Sequence, residues 1–229
     1  MPYVTAVIAA AGQGTRMKAG VNKQFLLLQG KPVLVHTLEL FQQCDLITEV
    51  ILVATPGEED YCRKMVQEYG LTKVTRVVSG GRERQHSVAH GLAPLSSECE
   101  IVAVHDGARP LLLPSHLTKV IQAAGAHDGA ILAVPVKDTI KEISGNGQVK
   151  STLERAKLWA VQTPQVFKKG VITFAYDRAF QEGIKGTDDA SLVEQCGFQV
   201  QVVEGSYENI KITTPEDLDF AELILRRRG

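Results

Sequence analysis

Cysteine and histidine are sparse and scattered in this sequence, which excludes several classes of protein. The four cysteines stand at positions 44, 62, 99 and 196 and form no C-x-x-C pair, and the six histidines lack metal-ligand spacing. Zinc sites and disulfide frameworks need such spacing. No signal peptide precedes the first apolar run, because Met1-Pro2 leads straight into it. We therefore expect reduced thiols, no dedicated metal ligands and a cytoplasmic location.

The sequence also lacks an excess of charge of either sign and any long apolar run. Lysine and arginine total 25 against 26 acidic residues, which gives a net charge of −1. A site for a polyanion must then be local, formed by a few placed cations rather than by a basic surface. No apolar run approaches the roughly 18 residues that span a membrane. Neither nucleic acid nor a membrane is expected as a partner.

The first apolar run ends in a glycine-bearing turn that is followed by two cations. The run is typical of a buried strand, Gly12 and Gly14 follow it, and Arg16 and Lys23 come next. Small residues after a strand let a polyanion approach the backbone N–H groups. Met17 stands where both the P-loop and the dinucleotide fingerprint require a glycine. The pattern predicts a phosphate loop of neither common kind, or else a strand–turn–helix corner that happens to carry an arginine.

Apolar strands alternate with amphipathic helices along most of the chain. This alternation predicts an α/β fold, a Rossmann-like, mostly parallel sheet with helices on both faces, and we expect residues 1–229 to form one domain. Ligands bind such sheets at the carboxyl ends of the strands. The predicted strands are residues 4–10, 50–54, 74–78, 101–104, 130–136 and 200–203; the predicted helices are 33–41, 58–69, 83–92, 117–126, 169–182 and 190–195; three polar turns that follow strands are 11–16, 79–84 and 105–109.

A second pattern interrupts this alternation between residues 138 and 158. Residues 139–143 and 149–153 alternate, with Gly145-Asn146-Gly147 between them as a hairpin turn. A two-stranded arm is marginal alone in water, so it must pack on something. The same arm of a second subunit in a two-fold dimer is one partner, and the arm's own domain is the alternative.

The last third of the chain returns to the α/β pattern. Thr163-Pro164-Gln165 predicts a turn, and residues 210–212 a short strand. Thr187 is expected to cap the helix over 190–195, and Thr214 to cap a final helix that has proline in its first position.

Several motifs in this order resemble one family along essentially the whole chain. They are Ala9-Ala10-Ala11-Gly12-x-Gly14-x-Arg16-Met17 with Lys23-Gln24, His105-Asp106-Gly107-Ala108-Arg109-Pro110, Pro135-Val136-x-Asp138-Thr139, Gln162-Thr163-Pro164-Gln165, Thr187-Asp188-Asp189-Ala190-Ser191 and Asn209-Ile210-Lys211. The set resembles the 2-C-methyl-D-erythritol 4-phosphate cytidylyltransferases, nucleotidyltransferases of non-mevalonate isoprenoid synthesis. One departure is Asn22, where that family usually has proline.

The resemblance implies attack of a polyol phosphate on the α-phosphate of CTP, with release of pyrophosphate. A phosphate nucleophile is already ionised at pH 7, so positioned cations matter more than a general base. The resemblance assigns the catalytic roles to Arg16 and Lys23 at the triphosphate, Lys211 near both phosphates, and Arg155, which reaches the substrate phosphate from the neighbouring subunit of a homodimer.

The resemblance also distributes the binding residues. It places CTP against Ala10, Ala11, Gly12, Gly14, Arg16, Lys23, Gly81, Ser87 and Asp106. It places the polyol phosphate against Asp106, Gly107, Arg109, Thr139, Arg155, Thr163, Thr187 and Lys211. His105 needs no catalytic role, and we expect it to be packed and hydrogen-bonded.

Mg²⁺ is the expected cofactor. Asp106 could hold it directly or through water, whereas the resemblance favours a metal held mainly by the CTP phosphates and water. Two functional alternatives remain at this point, a ribitol 5-phosphate cytidylyltransferase and a noncatalytic nucleotide-binding module. A dinucleotide-dependent dehydrogenase is disfavoured because Met17 replaces the third glycine.

Overall fold

A computed structural model describes residues 1–12 and 22–228 of the chain. In this part of the chain the strands are β1 Val4–Ala10, β2 Leu27–Leu28, β3 Lys31–Pro32, β4 Glu49–Ala54, β5 Val74–Ser79, β6 Ile101–Asp106, β7 Gly129–Pro135, β8 Lys141–Ile143, β9 Val149–Thr152, β10 Trp159–Lys168 and β11 Val200–Glu204. The helices are α1 Val33–Gln43, α2 Glu59–Glu68, α3 Arg84–Leu92, α4 Pro114–Ala126, α5 Lys169–Glu182, α6 Asp189–Gln195 and α7 Pro215–Arg228.

Seven strands form the central sheet, in the order β11-β7-β10-β6-β1-β4-β5. Neighbouring strands run parallel except at β10, which lies antiparallel between β6 and β7. The prediction of a mostly parallel sheet is therefore confirmed. The chain builds outward from β1 to β4 and β5, then crosses to β6 on the other side of β1. The strand order thus reverses between β1 and β6, which opens a crevice at their carboxyl ends.

Alternating side chains of the sheet enter two apolar cores, one on each face. On β1, Val4, Ala6 and Ile8 pack with α1, α2 and α4, whereas Val7 packs on the opposite face with α3, α5 and α6. This two-sided burial explains why the strands are apolar at nearly every position. Helix α7 packs separately, with Ala221 against Ile212 and the β2–β3 hairpin. No helix in the described ranges is long and apolar enough to cross a membrane.

Three local predictions in the last third of the chain were wrong. Residues 163–165 form no turn but continue β10, where the register shifts between Val161 and Gln165 around a cis Thr163–Pro164 bond. Such a bulge accommodates proline, which has no N–H to give to the ladder. Residues 210–212 form no strand in the described structure, because the Ile212 N–H donates to the Ala108 carbonyl in a loop instead.

The predicted cap of α6 also lies one residue too early. Asp188, not Thr187, is the N-cap: its carboxylate accepts from the Ser191 N–H at 2.9 Å, and the Ser191 hydroxyl completes a capping box. The short carboxylate of aspartate serves this position as well as a threonine hydroxyl does. Thr187 itself is exposed in the loop between α5 and α6.

The predicted arm is an antiparallel pair, β8 with β9, separate from the central sheet. Ile143 pairs directly with Val149, and their side chains are 53% and 60% exposed. An apolar cross-strand pair therefore faces away from the described part of this chain.

Candidate functional site

The crevice between β1 and β6 contains the predicted phosphate-loop end of β1 and the predicted acid of β6. Ala9 pairs with Asp106 across the two strands, and the Gly107 N–H continues the ladder with a 2.9 Å bond to the Ala9 carbonyl. A Cβ at Gly107 would lie 3.1 Å from Cβ of Ala10 and 3.0 Å from Leu34. Glycine therefore lets the turn after β6 lie close against β1.

A first cavity of about 610 Å³ opens above this crevice. The predicted CTP residues that line it are Ala11, Gly12, Lys23, Gly81, Ser87 and Asp106, with Lys211 from the predicted catalytic set. Ala10 is 2% exposed directly beneath them, at the end of β1. Gly14 and Arg16 lie outside the described residues.

A second cavity, of about 340 Å³, lies beside the first. The predicted substrate residues among its lining are Asp106, Arg109, Thr163, Thr187 and Lys211. Arg84, Asp106 and Lys211 line both cavities and so form the wall between them. Two ligands bound in these cavities would approach each other at this wall.

The arm residues Thr139 and Arg155 are not brought to either cavity. Both are exposed, and the Arg155 guanidinium donates to the Lys137 carbonyl at 3.0 Å. Thr139 and Arg155 of the arm therefore do not line either cavity of their own chain in the part that the structure describes.

Asp106 stands at the centre of a group of cations. Its Oδ1 accepts from Arg84 Nε at 3.1 Å, its Oδ2 lies 2.7 Å from Lys211 Nζ, and Arg109 Nε is 3.9 Å from the same oxygen. Burial disfavours the charged carboxylate, but Arg84 and Lys211 outweigh burial and hold the pKa of Asp106 well below its usual range. Asp106 is therefore a charged acceptor throughout the neutral range.

Arg84 is the site residue that the sequence analysis missed. Its terminal nitrogens donate to both oxygens of Asp189, at 2.9 and 2.8 Å, while its Nε reaches Asp106. Burial opposes the charge of Arg84, but the two aspartates outweigh it and raise its pKa further above the ordinary range. Arg84 opens α3, where the helix dipole disfavours a cation. An arginine at this unfavourable position of a predicted helix indicates that an acidic partner lies nearby.

Lys23 enters the first cavity from a short 3-10 helix, Lys23–Phe25. It is 8% exposed, and its ammonium donates to the Ile212 carbonyl at 3.1 Å. This bond joins residues from opposite ends of the chain and brings the loop of Lys23 beside Lys211. Just before it, the Asn22 amide donates to Thr55 Oγ1 at 2.8 Å and to Glu58 Oε2 at 3.0 Å. Side-chain bonds thus hold this loop where the family usually has proline.

The turn after β5 forms one end of the first cavity. A Cβ at Gly80 would lie 2.2 Å from Cβ of Ala11, so glycine is required for the close approach of this turn to β1. Ser87 Oγ accepts from the Gly81 N–H at 3.0 Å and donates to the Glu83 carbonyl at 3.1 Å. Backbone and hydroxyl groups of Gly80, Gly81 and Ser87 therefore line this end of the cavity.

Thr163 and His105 form an internal network beneath the second cavity. The Thr163 hydroxyl lies 3.0 Å from His105 Nδ1 and accepts from the Asp106 N–H at 3.1 Å, and His105 Nε2 lies 3.1 Å from the Arg109 carbonyl. Because a carbonyl only accepts, Nε2 carries the proton and Thr163 donates to Nδ1. Burial lowers the pKa of His105 to about 4. The prediction of a packed, hydrogen-bonded His105 is confirmed.

The described acids bear on whether this chain could hold the expected Mg²⁺ by itself. No group of three or more His, Cys, Asp or Glu side chains in the described ranges could hold a metal ion. Asp106 is the carboxylate between the two cavities, and both of its oxygens already accept from cations.

The fold and this site define a class: an α/β nucleotide-binding protein with two adjoining cavities and cations concentrated at their shared wall, as phosphoryl-transfer chemistry requires. The model of the IspD family, 2-C-methyl-D-erythritol 4-phosphate cytidylyltransferase, matches residues 4–227. The chain belongs to this family.

Relatives and solved structures agree with that assignment. The 2-C-methyl-D-erythritol 4-phosphate cytidylyltransferase of Alkaliphilus metalliredigens is 50% identical over 226 residues, 98% of this chain and 94% of that protein. The crystal structure of 4-diphosphocytidyl-2C-methyl-D-erythritol synthase from Anaerococcus prevotii has a TM-score of 0.88 at 34% identity and covers 99% of this chain and 97% of its own. The Thermus thermophilus enzyme named as the cytidylyltransferase has a TM-score of 0.80 at 33% identity, with 96% and 98% covered.

Proposed function

We propose that this protein transfers the cytidylyl group of CTP to 2-C-methyl-D-erythritol 4-phosphate, which gives 4-diphosphocytidyl-2-C-methyl-D-erythritol and pyrophosphate. The observation that carries the proposal is the wall of Arg84, Asp106 and Lys211 between two cavities of nucleotide and polyol size. CTP occupies the larger cavity and the polyol phosphate the smaller one. The two phosphates that must react then meet at this wall.

The reaction needs charge stabilisation more than proton transfer. An oxygen of the polyol phosphate attacks the α-phosphorus of CTP, a new P–O bond forms, and the bond to the β-phosphate oxygen breaks as pyrophosphate leaves. Lys23 and Lys211, which the Lys23–Ile212 carbonyl bond holds close together, offset the charge that develops. The family resemblance adds Arg16 to this set, although Arg16 lies outside the described residues. Positioned cations also align the two anions, which otherwise repel each other.

The opening at the β5–α3 turn selects the cytosine ring. Gly81 and Ser87 offer backbone and hydroxyl groups to the ring edge, and Ala10, Ala11 and Gly12 leave room for the ring and the ribose on the β1 side. The family resemblance adds Gly14, outside the described residues, to the CTP contacts.

The second cavity holds the polyol chain. Asp106 accepts from ribose or polyol hydroxyls, while Arg109 lines the β6 side of the cavity and Thr187 offers a hydroxyl from its lining. Gly107 lines neither cavity and contributes by letting the turn after β6 pack against β1. Thr163 acts by orienting the strand end, because its hydroxyl is already bonded to His105 and to the Asp106 N–H. Thr139 and Arg155 reach this cavity from the arm of a second subunit.

The cofactor of this reaction is Mg²⁺, carried mainly by the CTP phosphates. When bound it would neutralise phosphate charge and stabilise the leaving pyrophosphate. Asp106 is the residue beside which it would sit, and a water molecule between metal and carboxylate would leave the contacts with Arg84 and Lys211 intact.

The working molecule is a cytoplasmic homodimer of one-domain chains. One sheet that runs from β5 to β11 supports the single domain, and the exposed apolar pair of Ile143 and Val149 supports an arm-mediated dimer. The buried free thiols Cys62 and Cys99 suit a reducing compartment.

A coupled assay of pyrophosphate release tests the proposal. With CTP and Mg²⁺, we expect turnover with 2-C-methyl-D-erythritol 4-phosphate and little with ribitol 5-phosphate. Faster turnover of ribitol 5-phosphate would reassign the substrate. If neither phosphate released pyrophosphate although CTP bound, a noncatalytic nucleotide-binding module would be the better description.

A further inference from the structure

We propose that Arg84 is a positioning residue for this reaction, which holds Asp106 in a fixed orientation at the wall between the two cavities. The inference rests on the proposed function and extends it to a residue outside the cationic set of Arg16, Lys23, Arg155 and Lys211. Arg84 acts through Asp106, whose carboxylate must face ligands on both sides.

A continuous series of bonds leads from the core to the wall. The Tyr176 hydroxyl donates to Asp189 Oδ1 at 2.6 Å, and Arg84 donates to both oxygens of the same carboxylate. The remaining edge of the guanidinium donates through Nε to Asp106 Oδ1. Asp189 is fully buried and Tyr176 is 3% exposed, so the inner end of the series lies in a packed interior.

The guanidinium of Arg84 serves two purposes that can be separated. Its terminal nitrogens neutralise Asp189, a buried charge that would be costly without a partner. That structural need does not require Nε, which is used on the functional carboxylate instead. Because the two-point contact with Asp189 fixes the plane of the rigid guanidinium, it also fixes the direction of the Nε–H.

The orientation of Asp106 follows from this geometry. Arg84 holds Oδ1 from the α3 side and Lys211 holds Oδ2 from the opposite side, at 3.1 and 2.7 Å. The carboxylate plane is thus set where Asp106 lines both cavities. Small errors in the placement of such a group lower turnover strongly, since aligned reactants supply much of the rate.

A double-mutant cycle with Arg84→Lys and Asp106→Asn tests the inference. Lysine keeps a charge for Asp189 but has one donor centre, so it cannot hold both aspartates in the same geometry. We expect Arg84→Lys to lower kcat/KM about 10- to 100-fold in the wild-type background. In the Asp106→Asn background the same change should have less than about a twofold effect, because the group through which Arg84 acts has been altered.

Two further variants complete the design. Arg178→Lys is the matched control, since Arg178 on α5 is an exposed arginine that bonds Glu182 and the Gln195 carbonyl, and it should keep wild-type kcat/KM. Asp189→Asn weakens the two-point contact with Arg84 and leaves Arg84 itself unchanged. It should lower kcat/KM in the wild-type background and have little effect in the Asp106→Asn background, as Arg84→Lys should. It replaces Arg84→Lys in the cycle if Arg84→Lys does not fold.

The outcomes separate this inference from the function on which it rests. An equal fold-loss in both backgrounds would show that Arg84 acts independently of Asp106, and wild-type kcat/KM in Arg84→Lys would show that Arg84 only neutralises Asp189. Either result would overturn the inference. Absence of pyrophosphate release by the wild-type protein would overturn the proposed function instead. A loss of kcat/KM on Arg84→Lys that occurs only when Asp106 is present supports the positioning role of Arg84.

Discussion

Asp106 shows how a single carboxylate depends on the charges around it. Two arginines and a lysine lie within 4 Å of its oxygens, so it stays ionised although it is 6% exposed. An ionised carboxylate only accepts hydrogen bonds. Asp106 therefore suits the recognition of hydroxyl groups and not the protonation of a leaving group, in agreement with a reaction whose leaving group is pyrophosphate.

At this scale, Lys23→Ala tests the proposed charge stabilisation. We expect kcat to fall about 10²- to 10³-fold, the usual cost of removing a preorganised group that stabilises developing charge. The matched control is Lys169→Ala, because Lys169 also donates to a backbone carbonyl, that of Ser96 at 2.8 Å, away from both proposed ligand cavities. Steady-state rates with both substrates saturating check the prediction. Equal effects of the two substitutions would contradict a catalytic role for Lys23.

His105 predicts a pH dependence of stability. Burial lowers its pKa to about 4 in the folded protein, below the value of about 6.5 expected when unfolded. The unfolded chain therefore binds this proton first, and stability is lost as the pH falls from about 6.5 towards 4. The linked loss between pH 7 and pH 4.5 is about 2 kcal/mol. Urea unfolding of the wild type and of His105→Gln at both pH values measures it, and an undiminished loss in the variant would contradict the assignment.

At the scale of elements, the β-arm is unlike the rest of the fold. Its strands β8 and β9 expose Ile143 and Val149, whereas the inner strands β1, β4 and β6 of the central sheet bury their apolar side chains on both faces. A two-stranded ribbon gains little stability from its own packing. A second copy of the chain would account for both features: it would cover the apolar side chains of the arm, and its site would use Arg155.

Val149→Asp should weaken the proposed dimer, because it places a charge in an apolar contact. We expect a lower apparent mass by light scattering after size exclusion, and a parallel loss of activity on dilution. Lys150→Ala, the neighbouring exposed position that pairs with Glu142, is the control and should leave the mass unchanged. A wild-type protein that is monomeric at all concentrations tested would rule out the arm-mediated dimer.

Mixing inactive subunits tests whether Arg155 acts across that dimer. A heterodimer of Arg155→Ala and Lys211→Ala chains has one site with neither change if Arg155 is supplied by the partner. Random exchange makes about half of all dimers mixed, so activity should recover to about a quarter of the wild-type level. No recovery after mass spectrometry has proved exchange would mean that Arg155 acts within its own chain.

At the scale of the whole molecule, binding should be visible as stability. CTP with Mg²⁺ at 100 times its dissociation constant adds about 2.7 kcal/mol to the free energy of unfolding. For a chain of this length the melting temperature should rise by about 5 to 10 °C. GTP at the same concentration should give a much smaller rise, because the groups that Gly81 and Ser87 are proposed to offer at the β5–α3 turn match the edge of cytosine. Equal rises would contradict selection of cytosine at that turn.

Much of the fold could be predicted from the sequence because its strands and helices have strong periodic patterns. The helix Lys169–Glu182 and the strand Val4–Ala10 lie where they were predicted. Local sequence patterns led to the wrong prediction at two places. Strand β10 continues through Pro164, and Asp188 replaces Thr187 as the N-cap of α6. At Pro164 the neighbouring strands, and at Asp188 the helix α6, determine which backbone groups need hydrogen-bond partners.

The sequence by itself determined the class of fold, the order of its elements and, through its motifs, the residues of the predicted site. Only the tertiary structure decided that Arg84 and Lys211 flank Asp106, that Lys23 bonds the Ile212 carbonyl, and that one wall divides two cavities. The reason is physical. Periodicity reports how each segment is buried, whereas the pairing of charges from opposite ends of a chain depends on where packing brings those ends together.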